Sequence, residues 1–166
     1  MKQIFITIAL VAAVLSGASC SKEYISPEDL MQYPSKNAQI TNKSDKSVTT
    51  FKTAEVYRRS GYEGKSWLTA KSGGKMVEDA FWLSMYFDCV DNLNAGDKII
   101  PDSCRFSFVF SSDSNATTHE YDGNITFIDK GSDFVILHFD KVLFTCSFGE
   151  YMIDGYLYCT LKNSRP

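Results

Sequence analysis

The stretch from Tyr121 to Lys162 constrains the fold most. It holds three β-branched and aromatic runs separated by two turn clusters, Asp129-Lys130-Gly131-Ser132 and Ser147-Phe148-Gly149-Glu150. Runs of this kind bounded by Gly, Asp and Ser read as consecutive strands of a β-meander. A turn centred between Lys130 and Gly131 sets Phe127 opposite Phe134 and Ile125 opposite Ile136. A turn centred between Phe148 and Gly149 sets Phe144 opposite Ile153, Ile136 opposite Leu161 and His138 opposite Cys159. One face then carries Ile125, Phe127, Phe134, Ile136, Val142, Phe144, Cys146, Tyr151, Ile153, Leu157, Cys159 and Leu161. A slip of one residue would scatter that set to both sides of the sheet.

Two polar residues, His138 and Asp140, fall on the apolar face of this register. Either they form a buried proton-transfer or metal-binding pair, or a bulge near Asp140-Lys141 re-aims them, or the histidine is satisfied by backbone groups.

Upstream, further strands follow from β-branched and aromatic content. Val48 to Arg58 and Lys65 to Ala70, the latter with Trp67 and Leu68, are separated by Gly61 and Gly64. Met76 to Val90 is almost continuously apolar, so periodicity alone does not separate helix from strand. Its aromatic content favours a strand, with Phe81, Leu83, Met85, Phe87 and Cys89 on one face and Trp82, Ser84, Tyr86 and Asp88 on the other. Cys104 to Ser111 alternates in the same way, with Cys104, Phe106, Phe108 and Phe110 inward. Twelve Phe and nine Tyr, set in strands that outnumber any helices, indicate an all-β domain. The expected architecture is a single antiparallel β-sandwich or lipocalin-like barrel over residues 48–163, ending in the meander.

The first residues carry a different signal. Lys2 precedes an apolar run from Ile4 to Leu15, and small residues then lead to Cys20. This is the pattern of a secretory signal peptide over residues 1–19, too short for a stable membrane span. Leu15-Ser16-Gly17-Ala18-Ser19-Cys20 resembles a bacterial lipoprotein signal, in which the cysteine becomes the lipidated first residue. Ser21-Lys22-Glu23 directly after it resembles the start of many Bacteroidetes lipoproteins. In that group, charges after the cysteine accompany export to the outer face of the outer membrane. The resemblance covers about two dozen residues, and it implies lipidation of Cys20 and a membrane partner through that anchor. Ordinary cleavage beside Ala18 and Ser19 is the alternative. Residues 20–47 read as a flexible tether: Ser26-Pro27-Glu28-Asp29-Leu30 has the marks of a short helical turn, and Ser35 to Ser47 is almost wholly polar.

Apart from Cys20, four cysteines remain: Cys89, Cys104, Cys146 and Cys159. They allow three disulfide pairings or four free buried thiols, and all four point inward in the registers above. A hairpin turning near Ala95-Gly96-Asp97-Lys98 would bring Cys89 opposite Cys104. No close metal-ligand spacing, nucleophile elbow, phosphate-binding glycine loop or calcium loop occurs, so the expectation is a non-enzymatic module without metal or cofactor. A net charge of −3 with scattered Lys and Arg argues against nucleic acid. The remaining lead is aromatic. Trp82 and Tyr86 project from one strand and Tyr156 and Tyr158 from the last, as flat rings with polar neighbours suited to a glycan or a protein. The alternatives are a structural component of an envelope complex that offers a sheet edge, and a small barrel that encloses an apolar ligand.

Overall fold

The computed structural model describes residues 37–59, 61, 64–73, 80–108 and 118–164. The fold is all-β, one strongly curled sheet in the form of a half-barrel. In chain order the strands are β1 (Gln39–Asn42), β2 (Val48–Thr50), β3 (Thr53–Arg59), β4 (Ser66–Lys71), β5 (Phe81–Phe87), β6 (Lys98–Ile99), β7 (Ser103–Phe108), β8 (Tyr121–Lys130), β9 (Phe134–Cys146) and β10 (Gly149–Ser164). A short 3-10 turn, Val90–Asn92, follows β5. The hydrogen-bonded order is β6-β8-β9-β10-β3-β4-β5-β7, with β1 pairing β10 and β2.

Two features depart from the expected meander-plus-tether arrangement. First, β10 and β3 pair in parallel, Leu161 beside Val56, so the sheet is mixed rather than purely antiparallel. Second, the polar segment before Val48 is not tether throughout. Ala38 and Ile40 are fully buried, and β1 pairs antiparallel with β10, Ile40 beside Ile153. A single isoleucine in a polar run is enough to hold a strand when its neighbour supplies the ladder. Residues 1–36, with the leader, Cys20 and the short helical turn, lie outside the described residues.

The extent of curl follows from two rings. Phe106 on β7 and Phe144 on β9 have centroids 4.9 Å apart. They are five strand positions apart in the ladder, roughly 24 Å in a flat sheet at about 4.8 Å per strand. The sheet therefore folds its concave face onto itself, and Phe81, Phe106, Phe144 and Tyr151 meet there. Thr118 bridges the outer edge of β7 at Phe106, just before β8 begins. At one end Lys130 of β8 reaches across to donate to the Val90 carbonyl at 2.9 Å, and Arg58 of β3 pairs with Asp91.

A line of irregularities crosses β8, β9 and β10. Gly123 (φ 122°), Lys141 (φ 49°) and Gly155 (φ 105°) lie on successive strands beside register shifts. This alignment changes the phase of β9. Val135, Leu137 and Phe139 face the core before it, and Val142 and Phe144 after it.

The expected registers are corrected accordingly. Phe127 stands opposite Leu137 and Ile125 opposite Phe139. Phe144 stands opposite Tyr151, Ile136 opposite Tyr158 and His138 opposite Tyr156. Phe134 and Ile136 belong to the outer face, as does His138, whose ring stacks on Tyr156 at 4.5 Å. Asp140 is exposed in the bulge, where Asp154 accepts a hydrogen bond from the Lys141 amide at 3.2 Å. Of the readings of this pair, the bulge is the one observed.

All four described cysteines are free thiols. Cys104 and Cys159 are buried, whereas Cys89 and Cys146 are only half-buried. Cys89 does not face Cys104, because β5 ends at Phe87 and Cys104 lies opposite Met85.

Candidate functional site

The convex face of β3, β4, β5 and β7 carries the side chains that alternate away from the core. Strand registers line them up across the sheet. Tyr57 lies opposite Trp67, Trp67 opposite Tyr86, Lys71 opposite Trp82 and Ser84 opposite Arg105. Such directly opposed pairs are near enough for rings to touch. Tyr57 and Trp67 stack at 5.2 Å, and Trp67 and Tyr86 at 6.1 Å, giving three rings in a row. The Arg105 guanidinium lies 5.4 Å from the Trp82 ring centre, a cation–π contact.

Both indoles are pinned by cross-strand hydrogen bonds. Trp67 Nε1 donates to Ser84 Oγ at 2.7 Å, and Trp82 Nε1 donates to Thr69 Oγ1 at 2.8 Å. Each indole N–H thus has its partner within the sheet, and the ring planes are set before any ligand arrives. Tyr57 and Trp67 are 8% and 9% exposed, and Trp82 and Tyr86 are half-buried. Trp82 is therefore the more open indole.

Between these rings lies a groove of about 370 Å³, lined by Thr53, Glu55, Tyr57, Trp67, Thr69, Lys71 and Trp82. Tyr57 Oη donates to Glu55 Oε2 at 2.7 Å, and Lys162 Nζ stands 4.0 Å from Glu55 Oε1. The groove thus combines aromatic walls with hydroxyl, carboxylate and ammonium groups. That combination suits a ligand with flat apolar faces and polar rims.

Of the residues expected from sequence, Trp82 lines this groove and Tyr86 ends its ring row. Tyr156 and Tyr158 do not join it. They lie farther round the same outer face, where Tyr156 stacks on His138 and Tyr158 on Phe134 at 5.8 Å. Tyr57, Trp67, Glu55 and Lys71 were missed. The alternation that placed Trp82 and Tyr86 applies equally to β3 and β4 and would have found them.

A second cavity, about 430 Å³, opens near the β1–β2 hairpin, with Ile40, Val48, Phe81 and Tyr151 among its lining residues. Deeper in, the phenylalanines pack against one another. Among the described residues no three His, Cys, Asp or Glu side chains gather where a metal ion could be held. Comparison with protein-family models, with curated proteins and with solved structures found no match to this chain.

Proposed function

We propose that the chain is an exported, lipid-anchored binding module that holds a glycan in the groove between Trp67 and Trp82. The observation that carries this reading is the groove itself: two indoles fixed by cross-strand hydrogen bonds, with Thr69, Glu55 and Lys71 alongside. A pyranose presents an apolar face to a ring and hydroxyls to polar neighbours, which is the chemistry this surface offers. Rings already immobilised lose little conformational entropy on binding. The resemblance of the leader to a bacterial lipoprotein supports attachment through Cys20 at the outer membrane, with the domain displayed at the cell surface.

The test is titration calorimetry of the full chain against a panel of oligosaccharides, beside Trp82→Ala and Tyr158→Ala. Removal of Trp82 is expected to weaken a hit at least tenfold, from lost stacking and buried area. Tyr158→Ala, outside the groove, is expected to leave it unchanged. Equal affinity in all three proteins would refute the placement.

A second reading, an assembly component of the cell envelope, draws on one observation. Among the described residues the outer edge of β2 has no strand partner, and Val48 on it is 56% exposed. Such an edge can accept a strand from another chain. Thr50 lies in a non-hydrogen-bonded pair with Gln39, so its amide faces the free edge. That reading requires Thr50→Pro, and not Trp82→Ala, to abolish co-purification with an envelope protein.

A further inference from the structure

We infer that the sugar held in this groove is anionic, bearing a carboxylate or a sulfate, and that Lys71 is the residue that selects it. The inference rests on the glycan reading above and deepens it. The groove lining contains two charged side chains, Glu55 and Lys71. Their situations differ.

Glu55 is already engaged through both oxygens. Oε2 accepts the Tyr57 hydroxyl at 2.7 Å, and Oε1 faces Lys162 at 4.0 Å. A cationic ligand would have to compete with those contacts. Lys71 has no such compensation among the described residues. Among the described residues no carboxylate lies within the 4.0 Å of an ion pair to its ammonium. It is exposed, it stands directly opposite Trp82 in the β4–β5 ladder, and it shares the convex face with that ring.

Lys71 is therefore the cation that lines the groove beside the open indole, while the Arg105 guanidinium is already engaged on the Trp82 ring. A sugar lying against Trp82 has its substituents within reach of the flexible four-carbon lysine stem. The chain as a whole carries −3, so its general field repels anions and any anion preference must come from a local group. One charge-assisted contact at a partly open site corresponds to about a five- to tenfold preference.

The experiment is titration calorimetry of the full chain in detergent micelles with four probes. These are tetragalacturonate, its methyl ester, a sulfated galactan tetrasaccharide and its desulfated form. At least one acidic probe is expected to bind about five- to tenfold tighter than its neutral counterpart. That preference should shrink with added salt, vanish in Lys71→Gln and survive in Lys71→Arg. Which acid wins distinguishes carboxylate from sulfate. Neutral probes bound as tightly as acidic ones, or a preference unchanged in Lys71→Gln, overturn the anionic assignment alone. No binding of any probe, with the protein shown to be folded, overturns the glycan reading and this assignment together.

Discussion

Gly123→Ala tests whether the aligned bulges are what lets the sheet curl. Gly123 has φ 122°, a conformation an L-residue adopts only under strain. A Cβ built there would meet the Val142 Cα at 2.8 Å, the Lys141 carbonyl oxygen at 3.1 Å and the Asp140 carbonyl oxygen at 3.2 Å. All three are backbone atoms of the neighbouring strand, so no side chain can swing aside. Strain at such a φ costs about 1–3 kcal/mol, and forcing the strands apart adds about 1–3 kcal/mol. The sum, about 3 kcal/mol or more, corresponds to a fall in Tm of roughly 10 °C for a domain of this size. Gly61→Ala is the control, since Gly61 also has positive φ, 76°, but nothing lies within 4 Å of its would-be Cβ. It should lose only the backbone term, about 1 kcal/mol. Thermal unfolding followed by circular dichroism reads both variants. A Gly123→Ala protein melting within about 2 °C of the parent, or no lower than Gly61→Ala, would refute the close-approach argument.

Three further outcomes follow from buried groups. Phe106→Ala removes a fully buried ring that touches Phe81, Phe144 and Tyr151. It should cost about 3–5 kcal/mol in a denaturant titration, and a loss below about 1 kcal/mol would argue against the curled closure. Ser66 Oγ, fully buried, donates to the Arg58 carbonyl at 3.1 Å and accepts from the Val90 amide at 2.9 Å. Ser66→Ala leaves that amide without its partner and should cost about 1–3 kcal/mol in the same assay. Burial pushes the Cys104 thiol up to about 12 and raises that of Cys159 as well, from an ordinary 9.0. Because the folded-state values are raised, these thiols contribute full stability below pH 9.0, and it is lost as pH rises from there toward the folded values. Each buried thiol should add about 1.4 kcal/mol of destabilisation per pH unit in that window. Cys104→Ala should flatten the alkaline slope measured by urea titration, and an unchanged slope would count against the burial.

β5 and β7 were legible because they alternate, and one rule places Leu83, Met85 and Phe106 inward and Trp82 and Arg105 outward. β9 was less legible for a physical reason. Phe134-Val135-Ile136-Leu137 is apolar at every position, so either parity buries a good set of residues. Only the phase change at Lys141 decides between them. That change is written in Gly123 and Gly155, residues of the two flanking strands, and it becomes visible only when the three are laid side by side. Gly149 misled the second turn in a related way. It suggests the turn centre, but it sits just after it, and the two-residue turn is Ser147-Phe148.

The candidate site was half legible for the same structural reason. Alternation within one strand gives a face, and so Trp82 and Tyr86 could be named as a pair. The Tyr57–Trp67–Tyr86 row is a property of two registers, β3 on β4 and β4 on β5, and no single strand contains it. The parallel pairing of β3 with β10 then brings Lys162, more than a hundred residues away in sequence, to the carboxylate of Glu55. That contact engages the groove's carboxylate, and among the described residues Lys71 is the lining charge without an ion-pair partner. The charge character of the groove is thus set in part by the non-local, parallel pairing of β3 with β10. Lys162→Gln should release Glu55 from its partner and weaken the preference for an acidic sugar while Lys71 stays in place. A preference undiminished in Lys162→Gln would mean that Glu55 does not face the ligand.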